Sequence, residues 1–454
     1  QEVLGVEHIG IHDNFFELGG DSISSIQVVS KAAQRGIQLT VRQVYSLRTI
    51  AQLAQAAGTV EVAQAEQGLV TGELPLAPSH HWFFDQDLRF RDHFNQAQII
   101  DLPNGVSSDM VRAAVRSLMA HHDMLRLRIR RHSSAANSPL LTRRGSPAIM
   151  PTSSVPSPPT PSSMAMPTPL RAVLAAHLPH SSHAQPHNTQ WTEWLEGDTA
   201  FLQIPYRLID LSSVLDDTQR RRLVRDAANA AQASLDLTTG PILRAVHFVL
   251  PGGDSRLLLV VHHLAVDALS WTIIRDDLLT ALEQLRTAQR VHLPPKTASF
   301  KTWCEALVNN LSQDSDTNDD TDSTSTPYAR LVAQVGFWED VLNRASKFNV
   351  PRRTERRPAN REATTLRVHL SSQQTTSLST HVCSTFRASL HEVLVTAFVI
   401  AASRYITRSN GVAFTMEGHG REEDFVPGVD ITRTVGWFTS FYPVCIELDH
   451  TSPT

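Results

Sequence analysis

The stretch RLLLVVHHLAVDALSW, residues 256–271, decides how this chain is read. Its apolar run, Leu257 to Val261, suits a strand buried on both faces. Two histidines follow, and Asp267 stands four residues after the second. Neighbouring side chains of a strand point to opposite faces. His262 and His263 therefore cannot share one cavity while the backbone stays extended. One is expected in packing or hydrogen bonds, and the other facing open space. A two-histidine metal site is better served by i,i+4 spacing on a helix, so no metal is expected. The segment SWTIIRDDLLTALEQL carries Ile274, Leu278 and Leu282 at helical spacing, which forces a turn around Asp267. A carboxylate there can anchor the loop and orient an imidazole for acid–base work. The alternative is two satisfied core histidines beside a capping aspartate, and the motif alone does not decide between them.

The 454 residues, 41% of them hydrophobic, give room for more than one domain. A net charge of −4, from 41 basic and 45 acidic residues, leaves no electrostatic footprint for nucleic acid or a membrane surface. Cys304, Cys383 and Cys445 are too few and too scattered for a disulfide framework or a zinc cage. No apolar run of membrane-spanning length and no signal-peptide pattern is visible, so a cytoplasmic setting is expected. The chain opens on Gln1 and ends at HTSPT, as a piece cut from something longer would.

Residues 1–57 read as short helices. In DSISSIQVVSKAAQRG, Ile26, Val29 and Ala33 recur at helical spacing, Asp21 or Ser22 can cap the start, and Gly36 fits the stop. Ile50, Leu53 and Ala57 mark a second helix. Residues 58–72 read as a linker, after which strands alternate with helices over 73–296 and 297–454. HFNQAQIIDL, HDMLRLRIR, PILRAVHFVL and TLRVHLS have strand character; Met110, Val111, Val115 and Leu118 share one helix face. Residues 132–190 hold eleven of the 25 prolines and cannot bury enough apolar surface to offset their ordering entropy, so a disordered insertion is expected. Its His177, His180, His183 and His187 are not expected to bind metal. The polar tract 312–327 reads as a solvated loop and PRRTERRPANRE (351–362) as a flexible basic one. The fold class is α+β.

HHxxxD followed by SW resembles the core motif of the condensation-domain superfamily of non-ribosomal peptide synthetases. PLAPSHHWFF, HHDMLRLRI, EGHGRE and RTVGWFTSFYP resemble its other motifs, in the same order. EGHGRE, RTVGWFTSFYP, WFF and HFNQ have the flavour of epimerization domains, and FFELGGDSISSIQ resembles a peptidyl carrier motif. Ala268 after the motif aspartate and SHHWFF in place of a more usual Ile-Gln pair before Trp82 depart from the pattern. The resemblance implies a small four-helix carrier bundle followed by a two-lobed, chloramphenicol-acetyltransferase-like body with its second lobe incomplete.

It implies that Ser22 bears 4′-phosphopantetheine, at a helix start where a phosphodiester is electrostatically favoured. Epimerization of the carried thioester needs the α-proton removed and one returned to the opposite face. His263 and Glu417 are the expected acid–base pair, Glu417 acting as an acid if burial raises its pKa. His419 and Arg421 are weaker candidates. His262 and Asp267 support, the aspartate holding the loop and pairing an arginine such as Arg126. Trp437 is expected to pack, and Gly418 and Gly420 to allow a tight turn. Implied partners are the aminoacyl or peptidyl thioester, an upstream adenylation domain, a downstream condensation domain and a phosphopantetheinyl transferase. The alternatives are a condensation domain that forms a peptide bond, and an inactive truncated docking scaffold.

Overall fold

A computed structural model of the chain describes residues 1–59, 65–86, 88–131, 191–201, 203–312, 331–348, 363–407, 410–421, 426 and 428–448. The expected insertion at 132–190 with its four histidines, the polar tract from 313 onward and the basic run 351–362 lie outside the described residues.

The first unit is built on α1 (Ser22–Gln34), α2 (Val41–Leu47) and α3 (Ile50–Ala56). Each helix starts where a side chain accepts from its first-turn N–H groups: Asp21, Thr40 and Thr49. Where four helices were expected there are three, and turns occupy 2–5 and 15–19. Val29, Val44 and Leu53 form the core. The strands β1 (Ile37–Gln38) and β2 (Gly58–Thr59) pair, so the first two residues of the expected linker belong to this unit.

In the larger unit, β3 (Gly72–Leu74) leads into α4 (Pro78–Asp85), and β4 (Asn95–Asp101) into α5 (Ser108–His121). Next come β5 (Leu127–Arg131), β6 (Trp191–Leu195), β7 (Tyr206–Asp210), α6 (Asp217–Gln232), β8 (Leu243–Val249), β9 (Ser255–His262) and α7 (Ala268–Arg286). One sheet has the order β3-β6-β5, the other β4-β9-β8-β7. The strand β9 explains its own apolar run. Leu257, Leu259 and Val261 enter the core shared with Val111, Val115 and Leu118 of α5. Leu258 and Val260 enter a second core against Leu223, Val224 and Ala227 of α6. With both faces covered from Leu257 to Val261, that stretch is apolar throughout, and polar residues stand only at the strand ends, Ser255 and Arg256 at one and His262 at the other.

The chain continues through α8 (Phe300–Ser312), α9 (Val335–Ala345) and α10 (Leu390–Ala402), then β10 (Gly411–Gly418) pairs antiparallel with β11 (Ser440–Glu447). TLRVHLS, expected as a strand, has no regular structure, and its Leu366 is 88% exposed. An alternating pattern becomes a strand only when a partner takes its backbone hydrogen bonds. No single described helix is long and apolar enough to cross a membrane; residues 372–386 and 390–405 reach that composition only as a pair bent by 92°.

The small unit sits on the larger one through α1. Ile26 is buried within the large core, with Ile23 and Val41 packed beside it. The Gln27 amide reaches Thr272 of α7 at 3.5 Å.

Candidate active site

At the end of β9 the backbone leaves the sheet in a turn over His263–Ala265, and the two histidines part company as the pleat requires. His262 is fully buried. Its Nε2 donates to the Arg91 carbonyl (2.9 Å), and Nδ1 accepts from the Leu264 N–H (3.2 Å). Burial first, then neighbouring His263 and His80, push its pKa down to about 4, against the pull of the Arg91 carbonyl. This is the satisfied core histidine of the pair. Because the unfolded ring titrates near 6.5 and the folded one near 4, an unfolded chain binds this proton first as pH falls. The contribution is whole above pH 6.5 and lost by pH 4, about 3 kcal/mol in all. Urea midpoints measured over that window should fall with acidification, and less steeply in His262→Asn.

His263 is only part-buried. Its N–H donates to the Phe94 carbonyl (2.8 Å), its ring stacks on Phe94 at 5.1 Å, and Trp437 lies 4.6 Å away. Burial lowers its pKa, opposed by backbone groups of His263 and Val266 and by the charges of Asp267 and Glu417. The ring is thus kept in its neutral form, ready to accept a proton.

Asp267 starts α7. Its Oδ1 accepts from the backbone N–H (2.8 Å) and hydroxyl (2.7 Å) of Ser270. The expected partner Arg126 is elsewhere, bound to Asp123 (2.7 Å) and to backbone carbonyls. Arg421 takes that place, with Nη2 3.1 Å from both carboxylate oxygens and Nη1 donating to the carbonyls of Ile431 and Thr434. Arg421, a weaker candidate for chemistry, is therefore a structural tie between the first motif and the last. The Ser270 hydroxyl, which donates to Asp267, accepts from the Gly436 N–H (3.0 Å). A side chain at Gly436 would meet the Phe300 ring at 2.2 Å. Gly420 has φ +68°, and a Cβ there would meet the Phe438 carbonyl oxygen at 1.7 Å. These contacts set Trp437 against His263.

Glu417 lies on β10 opposite Phe441, which stacks on Trp82 at 4.6 Å. It is exposed, so the burial on which its expected role as an acid rested is not there. Its charge nonetheless reaches His263. His419 accepts from the Arg421 N–H through Nδ1 (3.0 Å) and serves the turn. Trp437 packs as expected, 1% exposed, but does so directly on His263.

Other side chains at the site carried no motif signal strong enough to name them. His80 donates through Nε2 to the Leu264 carbonyl (3.0 Å), and its Nδ1 lies 2.8 Å from Glu193, both residues fully buried. The departure noted at SHHW thus places a clamp under the turn that carries His263. Gln96 of β4 approaches His263 Nε2 at 2.7 Å, and the indole of Trp271, the W of SW, donates to Gln96 Oε1 at 2.6 Å. A cavity of about 400 Å³ between α6 and β7–β8 is lined by neither His263 nor Glu417. Among the described residues His121, His122 and Asp277 bring donor atoms within 4.8 Å of one another. There His122 Nε2 already pairs with Asp277 (3.0 Å), whose other oxygen is taken by Arg433.

On the small unit, Ser22 is the first residue of α1 and part-exposed. Asp21 performs the cap, accepting from Ser24 N–H (2.8 Å), while the Ser24 hydroxyl accepts from the Asp21 N–H (2.7 Å). The cap leaves Ser22 Oγ without a hydrogen bond among the described residues, at a helix end that favours a phosphate. Gly20 fits because a Cβ would strike the Phe15 ring at 2.3 Å. This environment fits a covalently attached phosphodiester.

Residues 187–453 match the condensation domain family, and residues 1–57 match the phosphopantetheine attachment site. Among curated proteins, a linear gramicidin synthase of Brevibacillus parabrevis is 36% identical over 100% of this chain and 5% of its own length. Chondramide synthase of Chondromyces crocatus is 35% identical over 98% of this chain and 10% of its own. The chain thus spans a small fraction of these relatives. Among solved structures, the epimerization domain from the third module of tyrocidine synthetase B aligns with a TM-score of 0.63 and 26% identity. That alignment covers 86% of this chain and 70% of the other. The first condensation domain of the calcium-dependent antibiotic synthetase (TM-score 0.54, 15% identity, 84% of this chain and 70% of that one) shares the fold.

Proposed function

Because the chain belongs to the condensation domain family and carries a phosphopantetheine attachment domain ahead of it, we propose that it holds an aminoacyl or peptidyl thioester and epimerizes its α-carbon from L to D. The observation that carries this reading is one part-open imidazole, His263, at the end of β9 against Phe94 and Trp437, with an exposed carboxylate, Glu417, on β10. Two groups of that kind can serve two faces of one carbon. The likeness to a solved epimerization domain supports it.

4′-Phosphopantetheine on Ser22 would supply a thiol that carries the acyl group as a thioester, whose carbonyl acidifies the α-carbon. His263 exchanges a proton at one face through an imidazole kept neutral by burial, near the pH where such transfer is efficient. Glu417 exchanges one at the other. Phe94 and Trp437 cover the His263 ring on two sides and limit water. Asp267, tied to Arg421, fixes the loop. Loading belongs to a phosphopantetheinyl transferase and an upstream adenylation domain, and the product passes to a downstream condensation domain. Three free cysteines suit a reducing, cytoplasmic setting.

The test loads the carrier with an L-aminoacyl group in deuterated water and follows mass at the α-carbon. Deuterium uptake with appearance of the D form supports epimerization. A dipeptide formed with an acceptor carrier would replace this reading by condensation, and neither product would leave a docking scaffold. Ser22→Ala is expected to gain no phosphopantetheine mass at all while its α-helical circular dichroism stays unchanged, since Asp21 and not Ser22 caps the helix. A modified Ser22→Ala would move the attachment point elsewhere.

A further inference from the structure

We propose that Trp271 and Gln96 form a positioning relay that fixes the tautomer of His263, leaving the Nε2 lone pair as its basic site. The inference deepens the epimerization reading and rests on it. An indole N–H can only donate, and Trp271 Nε1 lies 2.6 Å from Gln96 Oε1. The amide oxygen is therefore committed to Trp271, and the amide nitrogen faces His263 Nε2 at 2.7 Å. An amide nitrogen donates as well, so Nε2 must accept, and the proton of the neutral ring sits on Nδ1. Which way an amide points is ordinarily ambiguous, but here the donor-only indole removes the choice. Trp271 is itself held, 4% exposed, in the core formed by α7.

The relay has a chemical consequence. A proton on Nε2 would set two donors against each other at hydrogen-bond distance. Gln96 thus disfavours the imidazolium, in the same direction as burial of the ring. When Nε2 takes the α-proton, with the bonding electron pair staying on the substrate carbon, the Gln96 amide has to release it. The protonated ring is then driven to give the proton back. An epimerase needs this, because a base that rests protonated cannot start the next turnover. The other charged or titratable groups around the ring are His262 beside it, Asp267 on its loop with Arg421 behind, and Glu417 from β10. Asp267 and Glu417 favour the cationic ring and oppose the relay.

Gln96→Leu, Gln96→Glu and Trp271→Phe test this in the full chain by two readouts. The first is the pH profile of deuterium exchange. Its lower limb should move to higher pH in all three variants, and furthest in Gln96→Glu, by one unit or more (about tenfold in the equilibrium). The second is the ¹⁵N spectrum of histidine-labelled protein, which needs no activity. Wild type should show His263 with the proton on Nδ1, and Trp271→Phe a mixture. A uniform loss of rate with the limb unmoved, or a wild-type ring protonated on Nε2, would overturn the relay. A wild type with the expected tautomer but no exchange would leave the relay standing and remove the epimerization reading.

Discussion

Arg421→Ala should lower the unfolding free energy by about 3–5 kcal/mol, the cost of leaving one member of a buried ion pair alone. Arg421 is 3% and Asp267 6% exposed, and burial lowers the arginine pKa against the pull of that aspartate. Loss of the guanidinium strands the Asp267 carboxylate and frees the carbonyls of Ile431 and Thr434. Urea denaturation followed by tryptophan fluorescence reads the effect directly. The double variant Arg421→Met with Asp267→Ala should recover part of it, because no charge then remains unpaired, though Asp267 would still be missed as the helix cap. A loss under about 1 kcal/mol in Arg421→Ala would mean that the last motif does not depend on this tie.

The second large effect is on chemistry. His263→Ala and Glu417→Gln should each slow α-proton exchange by about 10²–10⁴-fold, the usual size of a lost acid or base. His263→Ala removes an imidazole between Phe94 and Trp437, whereas Glu417→Gln alters an exposed group. The urea midpoint should therefore move in the first and stay fixed in the second. With one partner gone, deuterium should still enter slowly from the remaining face, and the D:L ratio should stop approaching equilibrium. Full exchange in Glu417→Gln would remove it from the mechanism.

These two predictions divide along what could be read from the chain. The split between His262 and His263 follows from the two-residue period of a strand, and the structure keeps it: one ring buried with both nitrogens bonded, the other part-open. The turn after them, the helix begun by Asp267 and the two faces of β9 were equally legible, because each is a local pattern. The partner of Asp267 was not. Arg126 and Arg421 are both arginines at a distance in sequence, and nothing in either motif says which guanidinium faces the aspartate. TLRVHLS failed for a related reason, since alternation does not reveal whether a neighbouring strand is present. The role of Glu417 was tied to burial, a property of neighbours that its own sequence does not carry.

By itself, the sequence determined most of the strands and helices around β9, the serine at the head of α1, and that the two histidines of the pair would face opposite ways. Tertiary structure decided that Arg421 holds Asp267, that His80 and Glu193 brace the turn, and that Gln96 faces His263 with Trp271 behind it. The physical reason is range. Pleat, helical period and capping act within a few residues, whereas a hydrogen bond between side chains 175 positions apart exists only after the sheet has brought β4 beside β9.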